Sequence, residues 1–178
     1  LGMDRAKPGA IMVRPSGERF CNEADSYHDV TRALFDTTLP DESAQAWFVC
    51  DHRFVRRWGV GRVRPAPFPL RPWLRNGYLK KGRTVRELAL ACGIDAASLE
   101  RTIRRFGEHA RRGCDPDFRR GETPFNRAYG DPEHEPNPCL APLDAGPFYA
   151  VRIVPGSLST FAGLATDSNA RVLDRQGR

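Results

Sequence analysis

The side chains best suited to chemistry in this sequence are its histidines, cysteines, paired glycines and arginines, so their spacing is the first test of function. His134, Glu135 and Cys139 come nearest to a metal-ligand group, but Pro136 and Pro138 punctuate them and no second cysteine or histidine stands nearby. The stretch reads as an ordinary loop. The five cysteines, Cys21, Cys50, Cys92, Cys114 and Cys139, are odd in number and never form a C-x-x-C pair, a usage that points to reduced structural thiols. Gly59-Val60-Gly61 opens like a dinucleotide fingerprint, but no third glycine follows at the required spacing. Arginine, with 25 residues against three lysines, dominates a net charge of +6. Clustered arginines supply the phosphate contacts of nucleic-acid binders, yet here they are spread along the chain. The densest group lies on one helix whose other face is apolar, which reads as a solvated surface and argues against a nucleic-acid partner.

The elements that must position any site are legible in part. A chain of 178 residues with 40% hydrophobic content is long enough for one domain with a sizeable core. No stretch approaches the roughly 20 apolar residues of a membrane-spanning helix, and the opening residues lack the layout of a secretion signal. The expectation is a soluble, cytoplasmic protein. Residues 10–13 form a short apolar run, Pro15-Ser16-Gly17 a turn, and Arg19-Phe20 a return strand, together a β-hairpin. Tyr27, Val30, Leu34 and Phe35 fall on helical spacing, with Asp25 or Ser26 as the cap. Residues 46–50 are a continuous apolar run, expected to be a buried strand, and four prolines in 59–73 exclude regular structure there.

Thr84-Val85-Arg86-Glu87 is a capping box, and Gly93 ends the helix it opens. Asp95 caps a second helix, in which Leu99, Ile103, Phe106 and Ala110 make an apolar stripe while Arg101, Arg104, Arg105 and Arg111 face outward. Residues 114–147 read as a long loop pinned by Phe118, Phe125, Tyr129 and Leu140. Residues 148–154 alternate as a strand, and another begins at 170–173 before a turn at Asp174-Arg175-Gln176-Gly177. That strand has no partner and position 1 is not methionine, so a fragment of a longer protein is expected.

Taken in order, Gly9-Ala-Ile-Met-Val-Arg-Pro-Ser-Gly-Glu-Arg-Phe-Cys-Asn-Glu23 resembles the G-x-x-V-x-x-x-G-x-R-F-x-N-E segment of the fumarate reductase and 3-ketosteroid dehydrogenase flavoproteins. Thr84-Val-Arg-Glu-Leu-Ala, Gly93-Ile-Asp, Thr102-Ile-Arg-Arg-Phe106 and Phe148-Tyr-Ala-Val through Pro155-Gly156 follow in the family's order. The resemblance covers nearly the whole chain. It implies an α+β fold like the capping domain of the succinate dehydrogenase and fumarate reductase flavoproteins, with flanking strands of the FAD-binding domain. Residues 1–25 and 147–178 would be strands and hinge shared with that domain, and 26–146 the cap over the substrate. FAD would be bound mainly by parts of the parent protein outside this chain, and the isolated piece would be inactive.

The resemblance also suggests roles. Pro155-Gly156-Ser-Leu-Ser-Thr160 looks like the ketosteroid dehydrogenase branch, which uses tyrosines to take a proton while hydride passes to the flavin. One such tyrosine falls at Phe35, which has no hydroxyl, and Tyr27 on the same helix is the candidate substitute. Glu23, Phe35, Ser159, Thr160, Phe161 and Gly163 are expected at the substrate- or flavin-facing wall. Structural alternatives stand beside these: Tyr27 as packing, Glu23 as a hydrogen-bonding anchor, 159–161 as a tight turn. The activity implied is oxidation or reduction of a C–C bond next to a carbonyl, on a small molecule such as a steroid or other ketone. Two rivals are a dicarboxylate reductase with Arg56 or Arg57 as its acid, and a non-enzymatic basic α+β interaction module.

Overall fold

The computed structural model describes residues 2–156 and 163–177. Its frame is a four-stranded sheet of β1 (Ala10–Val13), β2 (Ala46–Cys50), β3 (Leu79–Gly82) and β4 (Phe148–Ile153), in the order β1-β2-β4-β3. All three pairings are antiparallel, with Met12 opposite Phe48, Phe48 opposite Val151 and Leu79 opposite Val151. The apolar runs are continuous because both faces of the sheet are covered. Met12, Phe48, Cys50, Leu79 and Tyr149 point into one core, while Ile11, Val13, Trp47, Val49 and Ala150 point into the other.

Among the described residues six α-helices surround the sheet: α1 (Tyr27–Asp36), α2 (His52–Arg57), α3 (Arg71–Arg75), α4 (Val85–Cys92), α5 (Ala96–Arg111) and α6 (Pro124–Tyr129). Val30 and Leu34 of α1 and Phe54 and Val55 of α2 fill the first core. Leu88 and Ala89 of α4 and Leu99, Ile103, Phe106 and Ala110 of α5 fill the second. The result is a mixed helix-and-sheet unit of three layers. Its helix starts follow the expected chemistry. Ser26, Thr84 and Asp95 each accept a backbone N–H in the first turn, and Gly93 ends α4 at φ +68°, a left-handed conformation that glycine adopts without strain.

Several expectations are corrected. The β-hairpin after β1 shrinks to a single bridge between Val13 and Arg19, because Arg19 turns into the interior to meet carboxylates instead of continuing a ladder. Asp51 starts α2 directly after β2 by accepting from Phe54 N at 2.9 Å, a cap hidden in a stretch dense with arginine. β3 was missed because Leu-Lys-Lys-Gly has no apolar alternation; it is an edge strand, where lysine is favoured. A short helix, α3, interrupts the proline-rich segment. The expected strand at 170–173 is reduced to one bridge, Thr166 to Val172.

The turn after β1 is locked onto the start of α5. Asp95 N donates to Pro15 O at 2.9 Å, and Gly17 has φ +81°. A methyl group there would lie 2.7 Å from Leu99 N and 2.8 Å from Asp95 O, both backbone. Gly17→Ala is therefore expected to destabilise the fold by about 1–3 kcal/mol, read as a lowered urea midpoint, because neither strand nor helix can give way.

Candidate functional site

A buried ionic knot holds the start of the chain. Glu23 is fully buried; its carboxylate accepts from Met12 N at 3.0 Å, from Arg19 at 2.8 and 2.7 Å, and from Arg120 at 3.1 Å. Arg19 also reaches Asp115 at 2.8 Å, and its guanidinium lies over the rings of Phe106 and Phe118. Arg120, likewise fully buried, donates to the carbonyls of Arg5, Lys7 and Ala10. Burial pushes the Glu23 carboxyl upward, but the facing guanidinium groups of Arg19 and Arg120 with their hydrogen bonds outweigh it and hold the pKa at about 2. The knot converts the Arg-Phe-Cys-Asn-Glu segment into an anchor. It draws residues 5–10, 19–25 and 115–120 together and fixes the approach to α1.

Two adjoining cavities open beside that anchor. The first, about 330 Å3, is lined by Ala6, Ala24, Ser26, Tyr27, Phe125 and Tyr129 among others. The second, about 360 Å3, is lined by Met12, Val30, Leu34, Ile153, Val154 and Pro155 among others. Gly2, Arg5 and Tyr27 belong to both walls, so Tyr27 stands at the junction. The local reason is the Ser26 cap, which starts α1 at Tyr27 and turns Val30 and Leu34 to the core while leaving Tyr27 43% exposed. Phe125 and Tyr129, one turn apart on α6, meet edge to face with centroids 5.2 Å apart and stay exposed. The arrangement can hold an apolar small molecule between walls that include two tyrosines, Tyr27 and Tyr129.

The expected site residues separate in space. Tyr27 lines the cavities, and Glu23 sits in the wall of the first with its side chain turned into the ionic knot. Phe35, on α1, is 55% exposed and lines neither cavity. Arg56 also lines neither; its Nη1 donates to Phe68 O at 2.9 Å. Arg57 pairs with Asp131 and Glu133. Gly163 is exposed with nothing within 4 Å of an added Cβ. Ser159, Thr160 and Phe161 lie outside the described residues. Sequence reasoning missed Phe125, Tyr129 and Arg5 as wall residues. The first two were legible as a helix from Thr123-Pro124, a cap followed by proline at the first helical position, and Thr123 does accept from Asn126 N.

Dinucleotide phosphates are gripped where a parallel strand runs through a glycine-rich turn into a helix start. The sheet here is antiparallel throughout, and β2 enters α2 through Asp51, which puts a carboxylate where a pyrophosphate would need to sit. The described residues do not fit the phosphates of a dinucleotide; they supply an apolar, aromatic wall. No group of three or more metal-ligating side chains gathers among the described residues, and no helix among them is long and apolar enough to cross a membrane. All five cysteines are free, and burial raises the pKa of Cys21, Cys50, Cys92 and Cys139.

Comparison with known proteins adds four findings. The FAD binding domain family profile matches residues 1–178. The 4-oxocyclohex-2-ene-1-carboxylate 5-dehydrogenase of Sinomonas cyclohexanicum is 44% identical over 170 residues, 96% of this chain and 29% of that protein. The 3-oxosteroid 1-dehydrogenase of Mycolicibacterium smegmatis is 38% identical over 175 residues, 96% of this chain and 31% of that protein. Among solved structures, the 3-ketosteroid delta1-dehydrogenase of Sterolibacterium denitrificans, in complex with 1,4-androstadiene-3,17-dione, superposes with a TM-score of 0.92 at 37% identity. It covers 100% of this chain and 32% of that one. The chain thus spans about a third of the length of the relatives it matches.

Proposed function

Because this chain belongs to the FAD binding domain family, whose cofactor is FAD, we propose that it is the substrate-capping part of an FAD-dependent dehydrogenase. The parent enzyme would act on the C–C bond next to the carbonyl of a cyclic ketone. Residues 26–146 would form the cap, with 1–25 and 147–178 leading to the part that holds FAD. The pairing of β1 and β4 with β2 ties both flanks to the cap, so a hinge would lie outside these strands.

The observation that carries the reading is the position of Tyr27 at the junction of two mainly apolar cavities. A hydrogen on a carbon next to a carbonyl is acidic enough for a positioned phenolate to remove, provided water is kept away. Val30, Leu34, Phe125 and the Ile153-Val154-Pro155 segment would exclude water, the Tyr27 oxygen, as phenolate, would take the proton, and FAD held by the parent enzyme would supply the acceptor for the hydride. Substrates of the kind named for the relatives, an oxocyclohexene carboxylate or a 3-oxosteroid, carry such a hydrogen. A dicarboxylate reductase is less well supported, since Arg56 is tied to the Phe68 carbonyl away from both cavities.

The test is anaerobic mixing of the full-length flavoprotein with a 3-ketosteroid, a 4-oxocyclohexane carboxylate and succinate. Bleaching of the yellow flavin by either ketone is expected. Bleaching by succinate alone would overturn the reading in favour of a dicarboxylate enzyme.

A further inference from the structure

The positive charge of this protein is not spread evenly once ion pairs are counted. Between Asp51 and Glu87 the chain carries eleven lysines and arginines and no acidic residue. Arg53 and Arg57 find distant carboxylates, but among the described residues Arg62, Arg64, Arg71 and Arg75 form no ion pair, and all four are exposed. The outward face of α5 differs. Its arginines alternate with Glu100 and Glu108, and Arg105 and Arg111 are paired with Asp117 and Asp144.

The four unpaired arginines share one excursion of the chain, residues 61–76, which also bears exposed apolar groups. Phe68 is 47% exposed between the exposed Pro67 and Pro69, with the Arg64 guanidinium 5.1 Å from its ring. Arg71 and Arg75 line one open surface hollow with Pro69 and Pro72. The base of the excursion is held firmly. Trp73 and Tyr78 pack with centroids 5.4 Å apart, Tyr78 Oη accepts from Arg62 N, and Arg56 donates to Phe68 O. The Asp4 carboxylate reaches it, accepting from Gly61 N.

We infer that the 61–76 excursion is a docking surface for an anionic phospholipid bilayer, with Arg62, Arg64, Arg71 and Arg75 at the headgroups and Phe68 entering the acyl boundary. The charges match the negative leaflet, and each basic residue near it adds attraction that salt screens. A bilayer interface takes both the exposed arginines and the exposed Phe68 ring. The inference does not depend on the dehydrogenase reading, because no residue of the excursion lines the Tyr27 cavities.

The test is co-sedimentation of the full-length protein with phosphatidylcholine vesicles, with and without about a third phosphatidylglycerol. Binding is expected to the anionic vesicles, to weaken with salt and to be absent on pure phosphatidylcholine. Arg71→Gln with Arg75→Gln should lower it about 30-fold. Phe68→Ser should weaken it at unchanged charge, and Arg101→Gln with Arg104→Gln on α5 should leave it intact. These side chains are exposed, and unchanged melting temperatures confirm that each variant folds. Three results would overturn the inference: no binding to the anionic vesicles, Phe68→Ser binding as well as the parent, or the α5 pair weakening binding as much as the patch pair.

Discussion

Tyr27→Phe in the full-length flavoprotein is expected to slow ketone-dependent flavin reduction by about a hundredfold to ten-thousandfold, the usual worth of a positioned general base. The argument is geometric. Tyr27 lies in the wall of both cavities, on the first turn of a helix whose start is pinned by Ser26 and whose inner face is buried through Val30 and Leu34. Phenylalanine keeps the ring, so the apolar contacts and the helix persist and only the proton acceptor is removed. Substrate binding should therefore change little while the rate of reduction collapses, a split that stopped-flow absorbance at varied substrate concentration reads directly. If the rate falls by less than about fivefold, Tyr27 is a packing residue and the proton must go elsewhere.

Glu23→Gln is expected to destabilise the fold by about 3–5 kcal/mol, because it leaves Arg19 and Arg120 facing each other in the interior without the carboxylate between them. The sign of the pH dependence follows from the depressed pKa. An unfolded glutamate titrates near ~4.3 and folded Glu23 near about 2, so its contribution is complete above about pH 5 and is lost as pH falls toward 2. Urea unfolding of parent and variant should show a constant gap from pH 7 down to about 5, closing below that. A gap independent of pH down to about 2.5 would mean that the ion pairs are not what the variant removes.

Local chemistry was the legible part of the fold. The Thr84 and Asp95 caps, the Gly93 stop and the stripe from Leu99 to Ala110 each depend on residues a few positions apart, and all appear as expected. β2 was legible for a different reason: a strand buried on both faces must be apolar throughout, as Ala-Trp-Phe-Val-Cys is. The misses have different causes. β3 is a strand because β4 pairs with it, not because Leu-Lys-Lys-Gly prefers extension, whereas α6 carries a local start signal at Thr123-Pro124 inside a segment whose proline and charge suggest irregularity.

The sequence by itself determined the family, through motifs whose order along the chain survives any uncertainty in where each one folds. It also carried the ingredients of the candidate site, a tyrosine at a capped helix start and a buried-type Arg-Phe-Cys-Asn-Glu segment. Tertiary structure decided their roles. Arg19 and Glu23 are four residues apart, but Asp115 and Arg120 arrive from about a hundred residues away, and only their convergence makes Glu23 an anchor with no free oxygen. The same holds for the cavities. Tyr27 and Phe125 share a wall because residues 120–130 fold back over the start of the chain, and Arg56 lines neither cavity, its guanidinium donating to Phe68 O. Spacing along a chain specifies local hydrogen bonds, whereas which charges and rings meet across a hundred residues depends on how the whole core closes.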